Sequence, residues 1–503
     1  MPRWNNLGDL VDRSLDMERV AVVDLREPAT PRSYTHRDID RLANGVARFL
    51  TERGLARGAA VAIMALNRAE YIAAYFGIMR AGFVAVPINT KLAQDTIDYV
   101  FEDSKIVLAF TDGTRRSMVP AGVPLVDFDD AGPEGFAARI VPGDFETVRV
   151  EPDETGQILY TSGSTGRPKG VPLTHFGQLW ALEQATAAVE REAERTLIAQ
   201  PLFHMNGLFQ SKVGFATNNQ LIYMPGFETR AYIDALERYR VTNLMAVPTM
   251  LARVAKDTEA LAGRDFSALR RVRMGSAPVT LALIEKLKDL FKVPVANGFG
   301  TTEAGPAVFG PHPGGIETPP LSVGYPLATA EVKLVDGPDE NEGVLLMRNP
   351  AVMPGYLNLP AKSREVLDEG WYRSGDVFRR DEAGFYYFVG RADDMFVCSG
   401  ENIYPGEVEK LLERHPQIQQ AAVVPLPDEE RGQVPVAFIV RRQDGSIDVD
   451  AVKRFTIDNG PAYQHPRRIE FVSDLPWAGT NKIDRKALIE RARQLESAKG
   501  WSI

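Results

Sequence analysis

Short β-branched runs alternate along this chain with longer amphipathic ones. Residues 61–65 read as a strand, 71–80 as a helix and 83–87 as a second strand; 221–224, 231–239 and 241–247 repeat the same order. Apolar positions that switch from period 2 to period 3.6 in this way describe βαβ units, so the expected fold is α/β with a largely parallel sheet. The most apolar stretch, 59–89, is broken by Arg68, Glu70 and Arg80, which predicts a strand, a helix and a strand rather than a membrane span. Residues 112–145 are rich in Gly, Pro and Asp and read as an irregular crossover, and 311–320 as a long loop dense in turn residues. After Gly390-Arg-Ala-Asp-Asp-Met-Phe the pattern changes. A helix is expected at 405–415, strands at 420–425 and 434–441, a helix at 449–459, then a basic helical tail. The reading is a large N-terminal domain of layered sheets and helices, 1–392, followed by a small mobile α+β domain, 393–503.

A chain of 503 residues exceeds what one hydrophobic core supports, in keeping with two domains. The formal net charge of −9 gives no basic footprint for nucleic acid. Residues 1–10 show no apolar core followed by a small-residue cleavage site, so no secretion signal is expected. Cys398 is the only cysteine, which excludes an internal disulfide and a cysteine-rich metal site and suggests a reducing, cytoplasmic setting. A homodimer is compatible with the chain.

The densest chemistry lies at residues 160–170, Tyr-Thr-Ser-Gly-Ser-Thr-Gly-Arg-Pro-Lys-Gly. Its glycines let backbone N–H groups close on an anion, its hydroxyls add donors, and Arg167 and Lys169 add positive charge, a combination suited to a triphosphate. A Walker loop cannot be laid over it, because Pro168 falls where the second glycine would stand. Seen alone, the run would pass for a polar surface turn. Three further runs offer complementary groups. Asn297-Gly-Phe-Gly-Thr-Thr-Glu303 sets a carboxylate beside hydroxyls and glycines, a platform for Mg²⁺ and phosphate. Tyr372-Arg-Ser-Gly-Asp376 ends in an acid able to accept two ribose hydroxyls. Gly479-Thr-Asn-Lys-Ile-Asp-Arg-Lys486 is a basic loop.

In this order the motifs resemble those of the adenylate-forming superfamily, which holds acyl-CoA synthetases, stand-alone adenylation domains and luciferases. The resemblance covers almost the whole chain. It implies that Thr161, Ser162, Gly163, Ser164, Thr165, Gly166 and Lys169 bind the phosphates of ATP, with Ser276, Ala277, Pro278, Gly300 and Thr301 completing the AMP site. Glu303 would hold the Mg²⁺, Thr302 would donate to the α-phosphate, Phe299 would stack on adenine where many relatives have Tyr, and Asp376 would take the ribose. Arg391 would contact ribose and phosphate, Asp393 would be the hinge, and Lys482 the adenylation lysine, with Asn481 in place of the usual glycine before it. Residues Ser399, Gly400 and Glu401 would shape the tunnel for the pantetheine arm of CoA. Cys398 reads as a packed side chain, since no paired base is apparent.

The implied reaction joins a carboxylic acid to CoA through acyl-AMP, with ATP, CoA and Mg²⁺ as reactants and cofactor. The acyl pocket would be lined by His204, Met205, Asn206, Val247, Gly275, Gly298, Gly300 and Gly324, with Met245 and Met274 as further apolar lining. His204 stands where amino-acid-activating relatives place an Asp for the substrate amine. Gly300 stands where acetyl-activating relatives have Trp, and Gly298 where malonyl-activating relatives have Arg. These substitutions point to a mid-sized apolar acid, a medium-chain fatty acid or an aryl acid. A luciferase-like oxygenase would share the nucleotide motifs and would not need CoA. A non-catalytic nucleotide-binding module would be expected to lack Lys482 or Glu303, and both are present.

Overall fold

The computed structural model describes residues 3–161, 167–187, 189–277, 279–398, 401–428, 431–442, 445–461, 464–477, 483–498 and 501. Among them lie four sheets. The first has six strands, of which Ala60–Met64, Val84–Pro87, Leu108–Thr111 and Leu125–Asp127 pair in parallel; Thr155–Thr161 joins Val84–Pro87 in parallel and turns back antiparallel into Lys169–Thr174. The second has seven, and apart from Arg32–Thr35 at its edge all its pairings are parallel.

Helices fill the space between these two sheets. Ala69–Arg80, His175–Thr186 and Met205–Ala216 share one core with inward residues of both, such as Val61 and Ile63 on one side and Val22 and Leu221 on the other. The run Ala60–Met64 is buried at every position, because a parallel strand covered on both faces has no polar side to show. Two outer cores complete the layering. One packs the helices Thr229–Arg238, Pro248–Lys256 and Leu281–Phe291 against the second sheet, and the other packs Gln94–Asp103 against the first. The α/β expectation therefore holds. The crossover expected at 112–145 contains the short edge strand Leu125–Asp127 and the helical turn Phe136–Arg139, and the rest of it is irregular.

The sequence pattern gave no warning of the third sheet. Residues 309–391 form a seven-stranded antiparallel layer in which the long strands Glu331–Asp339, Glu342–Arg348 and Trp371–Arg380 lie side by side. Beyond it, a five-stranded sheet with the helices Pro405–Glu413, Val449–Asn459 and Arg485–Ala498 builds a core of its own from Phe396 to Trp501. Among the described residues no helix is long and apolar enough to cross a membrane.

Candidate active site

In an open parallel sheet the loops after the carboxyl ends of the strands gather along one edge, where ligands bind. Here that edge collects the expected acyl-pocket residues. Strand Arg195–Ile198 leads to His204, Asn243–Ala246 ends at Val247, Arg271–Met274 at Gly275, and Val295–Asn297 at Gly298. Met274 pairs with Asn297 in the ladder, and Gly298 N donates to Met274 O at 2.8 Å, so the ends stand level. His204 is the N-cap of Met205–Ala216 and its ring meets Phe203 edge-on, centroids 4.6 Å apart. Asn206 Nδ2 donates to Ser276 Oγ at 3.3 Å, tying two of these loops together, and Ser276 holds a left-handed backbone at φ 68°. Met245 is half-buried, whereas Met274 is sealed in the core and is no pocket lining.

The pocket glycines differ in what surrounds them. A Cβ on Gly298 would have only Met274 O near it, at 3.5 Å, so this position faces open space. On Gly300 it would strike Pro306 Cα at 2.6 Å. Glycine at 300 is thus demanded by its own turn, where Thr301 bridges to Gly305, and cannot by itself report a deep pocket. Gly324 lies in the strand Ser322–Pro326 at φ 114°, and its Cβ would meet Gly310 O at 2.5 Å, so sheet pairing requires it.

On the nucleotide side, Thr161 closes one strand and Lys169 opens the next, directly opposite in the ladder. Residues 162–166 between them lie outside the described residues, as does Pro278; Ala277 is half-buried beside Ser276. Arg167 rests over the Tyr99 ring at 5.0 Å, and Thr161 Oγ1 is buried with no partner among the described residues. Lys169 Nζ donates to the Tyr356 hydroxyl at 3.1 Å and sits 4.2 Å from the centre of its ring. That hydroxyl donates to Glu303 Oε1 at 3.1 Å. Burial lowers the Lys169 pKa while Glu303 opposes the fall; burial and then Glu303 hold the Tyr356 phenol above its usual range, and Tyr372 follows the same pattern. Glu303 is braced through its backbone, its carbonyl accepting from Met353 N at 2.7 Å. Thr302 is half-buried beside it.

Phe299 packs edge-on against Phe378, centroids 4.8 Å apart. Asp376, buried on the strand Trp371–Arg380, faces Arg391 across the ladder and accepts from its Nη1 at 3.0 Å, while Arg391 Nε reaches Asp393 at 2.9 Å. Burial works against the Arg391 charge, and Asp393 and Asp376 together outweigh it, raising its pKa. Among the described residues no three acidic, His or Cys side chains gather as a metal site. A single carboxylate such as Glu303 fits an Mg²⁺ that keeps most of its ligands on nucleotide phosphates, since that ion rarely uses an all-protein cage.

Lys482 and Asn481 lie outside the described residues, as do Ser399 and Gly400. Described residues lie on either side of them in sequence. Trp477 bridges to Ile483, and Arg485, at the start of the helix that follows, donates to both oxygens of Glu409 at 2.7 and 2.9 Å and lies 3.7 Å from Asp394. Glu401 pairs with Cys398 in the antiparallel ladder of Phe396–Cys398 with Glu401–Ile403, and Cys398 is fully buried. Sequence reasoning missed Tyr356. Its only local signal was the Pro354-Gly355 turn before it, with Gly355 at φ 147°.

Residues 13–357 match the family described as AMP-binding enzyme, and 407–482 match the AMP-binding enzyme C-terminal domain. The chain is similar to the fatty acid–[acyl-carrier-protein] ligase ScoC of Streptomyces coeruleorubidus, 31% identical over 491 residues that cover 92% of this chain and 94% of the relative. It is 31% identical over 477 residues to a feruloyl-CoA synthase of Amycolatopsis sp, covering 91% and 94%. Among solved structures it resembles the anthranilate CoA ligase AuaEII in complex with anthranoyl-AMP, with a TM-score of 0.88 and 28% identity over 99% of each chain. It also resembles ATP-bound MatB from Rhodopseudomonas palustris, with a TM-score of 0.90 and 26% identity over 98% of this chain and 100% of that one. With both parts matched and the strand edge, the Lys169–Tyr356–Glu303 contact and the Asp376–Arg391 pair in place, the chain belongs to the AMP-binding enzyme family, within the adenylate-forming superfamily.

Proposed function

We propose that the chain is an AMP-forming carboxylate–CoA ligase acting on a medium-chain fatty or aryl acid. The observation that carries this reading is the Tyr356 hydroxyl, which joins Lys169 of the phosphate motif to Glu303 of the Asn297–Glu303 motif. A cation and an anion held apart by one phenol are set to receive a nucleotide phosphate and the cation that travels with it. When bound, Mg²⁺ would rest on Glu303 and supply charge neutralisation. Phe299 would support adenine and Asp376 the ribose, its carboxylate fixed by Arg391.

The substrate acid is already ionised at neutral pH, so the first step needs no general base. A carboxylate oxygen forms a bond to the α-phosphorus as the bond to pyrophosphate breaks; positioning by the strand-edge loops and the charges of Lys169 and Lys482 carry the catalysis. The thiol of CoA then bonds to the acyl carbon and AMP leaves. The small domain, from residue 393 with Asp393 as hinge, would offer Lys482 for the first step and residues 399–401 for the second. His204 borders the acid near its carboxylate. The absence of an Asp at 204 argues against amino acids, and the absence of an Arg at 298 disfavours a dicarboxylate whose distal carboxylate would be met there.

The test is a panel of carboxylic acids with ATP and Mg²⁺, scored for AMP release with and without CoA. Medium-chain and aryl acids should give CoA-dependent AMP. Oxygen-dependent product without CoA would instead support a luciferase-like enzyme, and silence with every acid would defeat the ligase reading.

A further inference from the structure

The helix Met205–Ala216 carries one lysine, Lys212, and it is wholly buried. Its Nζ donates to Gln178 Oε1 at 2.8 Å and lies 5.4 Å from the centre of the Phe209 ring. Gln178, on the helix His175–Thr186, is buried too; the same Oε1 accepts from Gln157 Nε2 at 3.2 Å, and Gln157 Oε1 accepts from the Tyr75 hydroxyl. Donors outnumber acceptors in this cluster. An ammonium carries three N–H groups, and this one has a single acceptor among the described residues. Gln178 Nε2 adds two more and is buried with no partner among the described residues. Burial alone brings Lys212 down to about 7, with no carboxylate among the described residues to oppose it. Natural cores seldom leave so many buried donors unmatched unless something else supplies the acceptor.

The position of the cluster says what that something is. Met205 opens the same helix at the strand edge, and Lys212 follows it by about 10 Å of helix rise on the same face, since seven residues complete about two turns. Gln157 lies on Thr155–Thr161, about 13 Å of strand behind Thr161, where the phosphate motif begins. A helix that starts at the strand edge and a strand that ends at the phosphate motif therefore meet at this cluster, at similar depth. We infer that Lys212 and Gln178 form the blind end of the acyl pocket and receive an oxygen acceptor, a carbonyl or carboxylate, at the far end of an otherwise apolar acid. The inference rests on the ligase reading above and narrows its substrate class.

The test compares three acids of equal chain length on the full-length enzyme: a medium-chain fatty acid, its analogue with a keto group near the far end, and its analogue with a terminal carboxylate. The readout is the ratio of kcat/KM for each oxygen-bearing acid to that for the plain acid, from CoA-dependent AMP release. The wild type should favour at least one oxygen-bearing acid by about tenfold or more, because a site built around buried donors rejects an analogue that leaves them unpaired. Lys212→Met, which keeps length and removes the donors, should bring the ratio near one. Gln178→Glu gives the ammonium an internal carboxylate and should do the same without altering volume, so a folding defect in one variant leaves the other informative. A wild-type ratio near one, or a ratio unchanged in either well-folded variant, overturns the inference while leaving the ligase reading intact. If no acid supports CoA-dependent AMP release, the ligase reading fails and the inference falls with it.

Discussion

The Tyr356 hydroxyl touches a cation and an anion at once, and that makes it a sharp probe of the site. Tyr356→Phe keeps the ring under Lys169 and removes both hydrogen bonds. Bonds to charged groups contribute about 1.5 to 3 kcal/mol, so kcat/KM for ATP should fall roughly ten- to hundredfold in a pyrophosphate-release assay, with the melting temperature nearly unchanged. An unaltered ATP dependence would reduce the contact to packing. The pocket glycines give a second comparison. Because Gly300 has Pro306 Cα where a Cβ would go, Gly300→Ala should depress turnover of every acid in parallel. Gly298 has room, so Gly298→Val should cost aryl and medium-chain acids about tenfold, the scale of 1 to 3 kcal/mol of overpacking, while acids of three or four carbons hold. Parallel losses in both variants would remove Gly298 from the pocket.

At the scale of elements, the two tools of the small domain should be separable. Lys482→Ala should abolish pyrophosphate release from acid plus ATP and leave thioester formation from supplied acyl-AMP largely intact; Gly400→Leu should do the reverse. Loss of both half-reactions in either variant would undo the division of labour. How far such elements could be read in advance depended on the range of the forces that shape them. The buried runs Ala60–Met64 and Asn243–Ala246 and the helix Val449–Asn459 were legible because local periodicity and β-branched composition agree with the fold around them. The antiparallel layer was hidden. Its strand Glu331–Asp339 is largely exposed and ends in Asp-Gly-Pro-Asp, so its pairing is dictated by a neighbouring strand rather than by its own apolar pattern. Motif chemistry named Glu303, Lys169 and Asp376, but not Tyr356, whose partner Lys169 is 187 residues away. The unpaired donors around Lys212 were equally invisible, since a lysine in a sequence reads as solvated until its neighbours are known.

For the molecule as a whole, pH should act on the two parts in opposite directions. Burial holds His36 and His175, both in the large domain, at about 4. The unfolded chain takes up those protons first, so the stability they contribute is complete above pH 6.5 and is lost as pH falls toward 4, on the order of 3 kcal/mol for each. In the small domain, burial lifts Glu413 to about 8 from an ordinary 4.5, so its contribution is complete below pH 4.5 and drains away as pH rises through 8. Hydrogen exchange resolved by domain should show the large domain loosening in acid and the small one loosening as pH rises from about 5 to 8. Glu413→Gln, which keeps an acceptor for Ala421 N, should flatten the second trend, and a small domain indifferent to pH between 5 and 8 would contradict it. Arg485, three residues beyond Lys482, grips Glu409 and Asp394, so the root of the lysine loop and the residue after the proposed hinge belong to one rigid piece. On the proposed pivot at Asp393, any swing would carry Asp394, Glu409 and Arg485 together. Under the proposed division of labour a single pivot would then serve both half-reactions, so an enzyme locked at that pivot would be expected to complete one and stall at the other.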